Sequence, residues 1–395
     1  MKSFRQILHR FCAIVIGLAF LMSGVLKLQD PVGTSLIVKE YFSFFGLPFL
    51  IPASKAVGMI LSLTEALCGA ALAAGLWKKA VAALTSALIA FFTLVTVALV
   101  IFNPAMDCGC FGEAFHLTHL QSLVKNLLLC ALAAGAFLPV KDLDGEKRKG
   151  KAVAFALTAG AVLILGYTSL TSLPYVDFTP FSPGAALADE NDDVELNDLR
   201  DTLFIYEKNA QRGMFSQDRL PDKSWRLIGK TLNRLHQDRY ASSPVQLHIR
   251  NAEGEYETDL LTDGDVVAVS AYSPEKLGAE DWGRISDFFM TVQLSGMTPV
   301  LLLNDIQAAP PDLADMAFSA DRKTLMTLNR SNGGVTWLHD ADIIAKWAKK
   351  NMPSADKWES ISEKAPLEYS MTRSSRGRIR FQGICLYSIA LLLLL

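Results

Sequence analysis

The residues best equipped for chemistry lie in one short run, Asp107-Cys108-Gly109-Cys110-Phe111-Gly112. Two thiols with one glycine between them can close a small, strained ring, which raises its reduction potential and makes the bond exchangeable. The two glycines permit the tight backbone this requires. Three chemistries fit: dithiol exchange, a static disulfide or two idle thiols, and a metal cluster completed by His116 and His119. The histidines stand one turn apart where a helix begins, which suits interfacial side chains more simply than ligands, so no metal is assigned. Asp107, next to the first thiol, joins Cys108 and Cys110 as a candidate. Glu65 is the other, because a carboxylate inside an apolar run is costly unless it is neutral, paired or hydrated. Its bland reading is a protonated side chain hydrogen-bonded across helices. Lys27 is a candidate partner for Glu65, although a lysine so placed ordinarily snorkels to the interface. Cys12, Cys68, Cys130 and Cys385 read as small hydrophobes. By the helical rise, Cys68 and Cys130 lie over ~10 Å from the paired thiols, too far for direct exchange. A bound quinone would bridge that gap, but no residue pattern indicates one, and no cofactor is expected.

These residues must be positioned by membrane helices. Of 395 residues, 51% are hydrophobic, yet the charge suffices for one soluble domain. Runs 11–26, 56–76, 80–102, 120–140 and 152–173 reach or approach the roughly 20 apolar residues a bilayer core requires. Cations precede the first run (Lys2, Arg5, Arg10), separate the second from the third (Lys78, Lys79) and separate the fourth from the fifth (Lys141, Lys147, Arg148, Lys149, Lys151). Short cationic loops stay cytoplasmic, so the N-terminus is expected in the cytoplasm and the cysteine loop outside, at the membrane surface. The expected protein is multi-pass in the inner (cytoplasmic) membrane, with everything after residue 173 in an oxidising, extracytoplasmic compartment. The basic start and the small residues Ser23 and Gly24 also fit a signal peptide, but the later spans favour an uncleaved first helix. The apolar run 381–395 is expected as a sixth membrane segment, against the charge rule, because Arg373, Arg376, Arg378 and Arg380 precede it on the outer side. With a net charge of -2 and no basic stripe, nucleic acid is not an expected partner. Membrane lipid is, together with an extracytoplasmic client or redox protein.

Residues 174–195 read as a proline-marked, acidic linker and 196–370 as the soluble domain. Strands are expected at 202–206, 245–249 and 266–271, then a helix at 279–295 with Trp282, Ile285, Phe288, Phe289 and Val292 on one face, then a strand at 299–303. Strand, helix, strand at this spacing predicts a parallel βαβ unit. Runs 324–328, 334–339 and 343–347 predict further strands and a final helix.

The Asp-Cys-Gly-Cys-Phe-Gly run after a third span, with GLAFLMSGVLKLQD at 17–30, resembles the MauE/DoxX family of redox-associated membrane proteins. The matching residues are Arg10 before the first helix, Ser23, Gly24, Lys27, Leu28 and the intramembrane Glu65, and the resemblance covers roughly 5–140. It implies a four-helix core in 1–140, with 141–173 adding a fifth span, and association with thiol and disulfide handling outside the cytoplasm, as in methylamine dehydrogenase maturation. The soluble domain resembles a thioredoxin-like α/β domain without its chemistry. Ser270-Ala271-Tyr272-Ser273-Pro274-Glu275 stands where Cys-X-X-Cys belongs, and Asn332-Gly333-Gly334 where the cis-proline belongs. The domain is therefore expected to bind or scaffold, with Arg330 to Gly334 either at its binding edge or an ordinary connecting turn. Two further classes stay open: a non-enzymatic scaffold with a static disulfide, and a small-molecule carrier using Glu65. Residues 371–395 are the expected C-terminal anchor.

Overall fold

A computed structural model describes residues 2–138, 149–187, 202–208, 211–215, 225–232, 246–364 and 366–394. Five of its helices are long and apolar enough to cross a membrane: Phe4–Gln29, Pro48–Ala74, Lys79–Phe102, His119–Phe137 and Lys149–Ser169. They correspond to the five apolar runs, and the chain is a multi-pass membrane protein. Phe91, Leu94, Ile101, Leu128 and Ile164 are exposed on the outside of this bundle, where lipid is the solvent that covers them.

The first helix, α1 (Lys2–Gln29), begins well before its apolar run, so Arg10 lies within it rather than ahead of it. The Arg10 guanidinium donates to the carbonyls of Leu72, at 2.9 Å, and of Ala73, in the last turn of α3 (Ser54–Ala74). Carbonyls of a last helical turn lack the usual in-helix donor; Leu72 also accepts from the Gly75 cap amide at 3.0 Å, and the Arg10 fork adds donors where a bilayer offers no water. The two helices run antiparallel in backbone contact. A Cβ on Gly69 would sit 2.3 Å from the Leu21 amide nitrogen and 2.5 Å from the Gly17 carbonyl oxygen. Small residues at a crossing let membrane helices approach this closely, so that packing replaces the hydrophobic effect as the source of adhesion.

Residues 29–55, read as a loop from the sequence, contain a helix, α2 (Pro31–Phe44), and a 3-10 turn at Pro48–Ala53 that leads into α3. Asp30 caps α2, its Oδ1 accepting the Gly33 amide proton at 2.8 Å, and Pro31 occupies the first helical position. At 14 residues α2 is too short to span. The bundle continues with α4 (Lys78–Phe102), α5 (His119–Phe137), which opens on a Thr118/Gln121 capping box, and α6 (Lys149–Ser169).

Beyond the bundle, β2 (Thr202–Lys208), β3 (Gln211–Phe215) and β4 (Arg226–Leu232) form an antiparallel sheet in the order β3-β2-β4. A second sheet has the order β7-β6-β5-β8-β9. Its β5 (Asp265–Ala271) and β6 (Thr298–Leu303) are parallel and joined by α7 (Ala279–Leu294), the βαβ unit predicted from spacing. β7 (Ala317–Ser319) extends the parallel edge, and β8 (Gly334–His339) and β9 (Asp342–Trp347) form an antiparallel hairpin on the other side of β5.

Three expectations change. The run 324–328 lies in a helix, α8 (Arg322–Leu328), because the Asp321 carboxylate caps its start by accepting the Thr324 amide proton at 2.9 Å. The described part of 245–249 forms no ladder, although Leu247 and Ile249 are buried and Arg250 bridges to Ser319. The run 343–347 is strand β9, and the closing helix of the domain is α9 (Ala355–Ser362). Its Trp358 is buried edge-on to Phe288, with Trp337 and Trp347 alongside, which fixes α7 and α9 to one face of the sheet.

The last helix, α10 (Pro366–Leu394), leaves β9 and runs back along α6 and α3. Leu392 is buried among Ala66, Ala70, Ala74 and Ala154, so the end of α10 is packed into the bundle.

Candidate functional site

The α1–α3 contact determines the site. Ser23 and Lys27, one turn apart on α1, face Glu65 of α3. Lys27 Nζ lies 2.7 Å from Glu65 Oε1 and 2.6 Å from Oε2. The side chains are 8% and 2% exposed, so Lys27 forms a buried ion pair and does not snorkel. Its ammonium also lies 5.5 Å from the centre of the Phe92 ring. Ser23 Oγ is 2.8 Å from Glu65 Oε2 and 2.7 Å from the Cys110 carbonyl oxygen, so a single hydroxyl proton serves two acceptors.

That second contact places the cysteine loop. Ser23 stands six residues inside the end of α1, about 9 Å by the helical rise, so the loop dips into the bundle instead of resting on its surface. Tyr41 of α2 donates to the Cys108 carbonyl at 2.6 Å. Gly109 has φ +59°, and a Cβ there would meet Ile37 Cγ2 of α2 at 2.4 Å. Gly109→Ala should therefore unseat the loop, losing about 1–2 kcal/mol from the backbone alone. Faster maleimide labelling of Cys108 in detergent would report it, and an unchanged rate would count against this seating.

Cys108 is buried and Cys110 half-buried, and both are free thiols. Burial pushes the Cys108 thiol up from its ordinary pKa, with Ser122 and Lys125 acting in the opposite direction. Cys110 is thus the more accessible of the two, and Cys108 the protected one. Cys110 opens a short extended segment, β1 (Cys110–Glu113), and the Lys125 ammonium covers the adjacent Phe111 ring at 5.2 Å.

The remaining sequence candidates are not brought to this centre. Asp107 is exposed and pairs with His116 at 3.2 Å, while His119 contacts Asn103 and the Met106 carbonyl. Among the described residues no three metal-binding side chains converge. Cys12, Cys68 and Cys130 share a separate apolar cluster.

Sequence reasoning missed three features. A cavity of about 710 Å³ lies among the first five helices, with Cys108, Cys110, Lys27 and Glu65 in its wall. Asn126 of α5, an unremarkable residue in the sequence, is buried there and donates to Thr96 Oγ1 at 2.9 Å. The third feature is what Arg330, named above only as the start of an edge turn, meets: its Nε lies 2.9 Å from Asp30 Oδ2 and its Nη2 3.0 Å from Glu113 Oε1. It joins the sheet domain to the bundle directly beside the cysteine loop. Burial pushes the Asp30 carboxyl up, moderated by Arg330 and the Gly33 amide. Burial opposes the Arg330 charge as well, yet Asp30 and Glu113 keep the guanidinium above its ordinary value. The turn from Arg330 to Gly334 is also tied to the β5–α7 loop, since Asn332 accepts from the Ser273 amide at 2.9 Å and donates to its carbonyl at 2.8 Å. It carries the domain contact and is more than a connection between strands. Lys323 pairs with Glu40 at 2.6 Å at the rim of the same interface.

Residues 5–139 match the family model described as methylamine utilisation protein MauE. Over these residues, α1 to α5, the membrane domain is similar to that family. The match ends before α6, and the sheet domain and α10 lie beyond it. No curated protein and no solved structure matches the chain. Within the MauE region Ser23, Lys27, Glu65 and the cysteine loop converge on one centre, while Arg10 ties the far ends of α1 and α3 together.

Proposed function

We propose that this MauE-like protein exchanges thiols and disulfides with an extracytoplasmic client through Cys108 and Cys110. The observation that carries this reading is the asymmetry of the pair, one thiol protected and one accessible, in a loop held by Ser23 and Tyr41 against a buried ion pair. In the oxidising direction a client thiolate attacks the Cys110 sulfur of the Cys108–Cys110 disulfide, and Cys108 leaves as a thiolate that takes up a proton. The second client thiol then displaces Cys110, so the client gains the disulfide and the loop gains both thiols. The MauE description makes a protein of methylamine utilisation one class of client.

The cations at the ends of α1, α4 and α6 opposite the sheet domain support a cytoplasmic N-terminus and an extracytoplasmic sheet domain in the inner membrane. On this reading α10, packed along α3 and α6, is a sixth membrane segment. A parallel βαβ unit, an antiparallel hairpin and a final helix support a thioredoxin-like reading of the sheet domain. Serine, proline and asparagine replace its redox residues, and its edge serves docking through Arg330.

The test is covalent trapping in membranes. Cys108→Ser, which leaves Cys110 with no resolving partner, should accumulate mixed disulfides, whereas Cys110→Ser should accumulate few. If neither variant captures a partner and the pair never changes state across redox conditions, the loop is a static disulfide. The protein is then a membrane scaffold, a reading favoured by the buried Arg330 clamp.

A further inference from the structure

The cavity beside the thiols is larger than the proposed exchange with a protein client requires. At about 710 Å³ it falls within the range of small-molecule sites, roughly 300–1,000 Å³. Its wall is mostly apolar, with Ile37 from α2, Leu61 from α3, and Phe92 and Val95 from α4 among the contributors. Polar groups are few and include Ser23, Lys27 and Glu65, which are clustered by their mutual hydrogen bonds. Both Cys108 and Cys110 line the same space.

We propose that this cavity seats a lipid-soluble quinone that accepts the electron pair of the Cys108–Cys110 dithiol, an inference that rests on the redox function proposed above. A dithiol that oxidises clients must itself be reoxidised, and the other bundle cysteines lie in a separate cluster without a path of thiols leading to them. A flat apolar ring fits between aromatic and aliphatic walls, and its carbonyl oxygen can accept a hydrogen bond from the Lys27 ammonium. A plain acyl chain would fill the same space but offer no acceptor to the polar groups of the wall, Lys27, Lys125 and Asn126 among them. The reaction balances without another reactant. Two S–H bonds break and one S–S bond forms, two electrons reduce the quinone, and its two oxygens gain the two thiol protons as a quinol. Lys27 and Glu65 act as positioning and proton-exchanging groups at the nearer oxygen.

The experiment uses the full chain in phospholipid nanodiscs free of quinone, with a short-chain prenylated naphthoquinone as probe and dithiothreitol as donor. Quinone reduction, followed by absorbance, should exceed protein-free nanodiscs by at least about tenfold and saturate with quinone. Cys108→Ser should abolish the gain. Leu61→Trp and Val95→Phe, which fill the cavity, should raise KM for the quinone while leaving mixed-disulfide capture intact. A prenyl alcohol of equal length should compete poorly. If thiol capture proceeds but quinone reduction neither saturates nor responds to the filling variants, the quinone site is overturned and the exchange function stands. If the alcohol competes as well as the quinone and no electrons pass, the cavity is a lipid seat and the proposal fails. If the quinone is bound but the pair never changes redox state, both the acceptor role and the exchange function fall.

Discussion

Lys27→Met is expected to be the most damaging single substitution in the membrane bundle. It removes the ammonium within 2.7 Å of Glu65 and leaves a carboxylate in a site that is 2% exposed, with Ser23 as its remaining hydrogen-bond partner. Removing one member of a buried pair typically costs about 3–5 kcal/mol, because the surviving charge stays desolvated. Most of that penalty belongs to the orphaned charge, not to the loss of attraction, so the double variant Lys27→Met/Glu65→Leu should recover much of it. Thermal unfolding in detergent, alongside protein abundance in membranes, measures both variants. A Lys27→Met protein as stable as the parent would mean that Glu65 is neutral and the pair is not ionic. A recovered double variant that no longer supports thiol capture would separate what the pair does for folding from what it does for chemistry.

The second large effect is expected at the domain junction. Arg330→Met leaves Asp30 and Glu113 facing each other in a half-closed interface without the guanidinium that both contact. Truncating one partner of a buried, hydrogen-bonded charge pair across an interface typically costs about 2–5 kcal/mol or more, which should loosen the domain on the bundle although α10 and the Lys323–Glu40 pair also join them. The readout is a zero-length carbodiimide crosslink between Glu40 and Lys323, whose charged atoms are 2.6 Å apart. It should form in the parent chain and be largely lost in Arg330→Met, with faster maleimide labelling of Cys110. Arg330→Lys should fall between them, because one ammonium cannot reproduce a fork that reaches two carboxylates. Persistence of the crosslink at the parent yield in Arg330→Met would show that other contacts hold the domain in place.

How far the sequence reveals this molecule depends on whether the controlling interaction is local. The five spans are legible because a bilayer demands length and apolarity in one continuous run, and both are properties of the run itself. The βαβ unit is legible for the same reason, through the spacing of Ile285, Phe288, Phe289 and Val292 on α7. At 14 residues, α2 fell below the length that signals a span, although Asp30-Pro31 is a helix start readable in retrospect. The run 324–328 reads as a strand when taken alone, and the Asp321 cap just before it decides for a helix. Glu65 and the two cysteines stand out because such residues are conspicuous at membrane depth. Their convergence does not, since it depends on the backbone contact at Gly17 and Gly69, which no window of sequence contains. Arg330 lies 300 positions from Asp30, and the sequence holds no sign that the two meet.

Asp30 uses its two oxygens for different purposes, Oδ1 to start α2 and Oδ2 to hold Arg330. The helix it starts carries Tyr41, which grips the Cys108 carbonyl, and Ile37, which lies against Gly109. The carboxylate is thus the fulcrum of a short lever. Any force that draws the sheet domain away from the bundle pulls on the first turn of α2, and through α2 on the loop that holds the thiols.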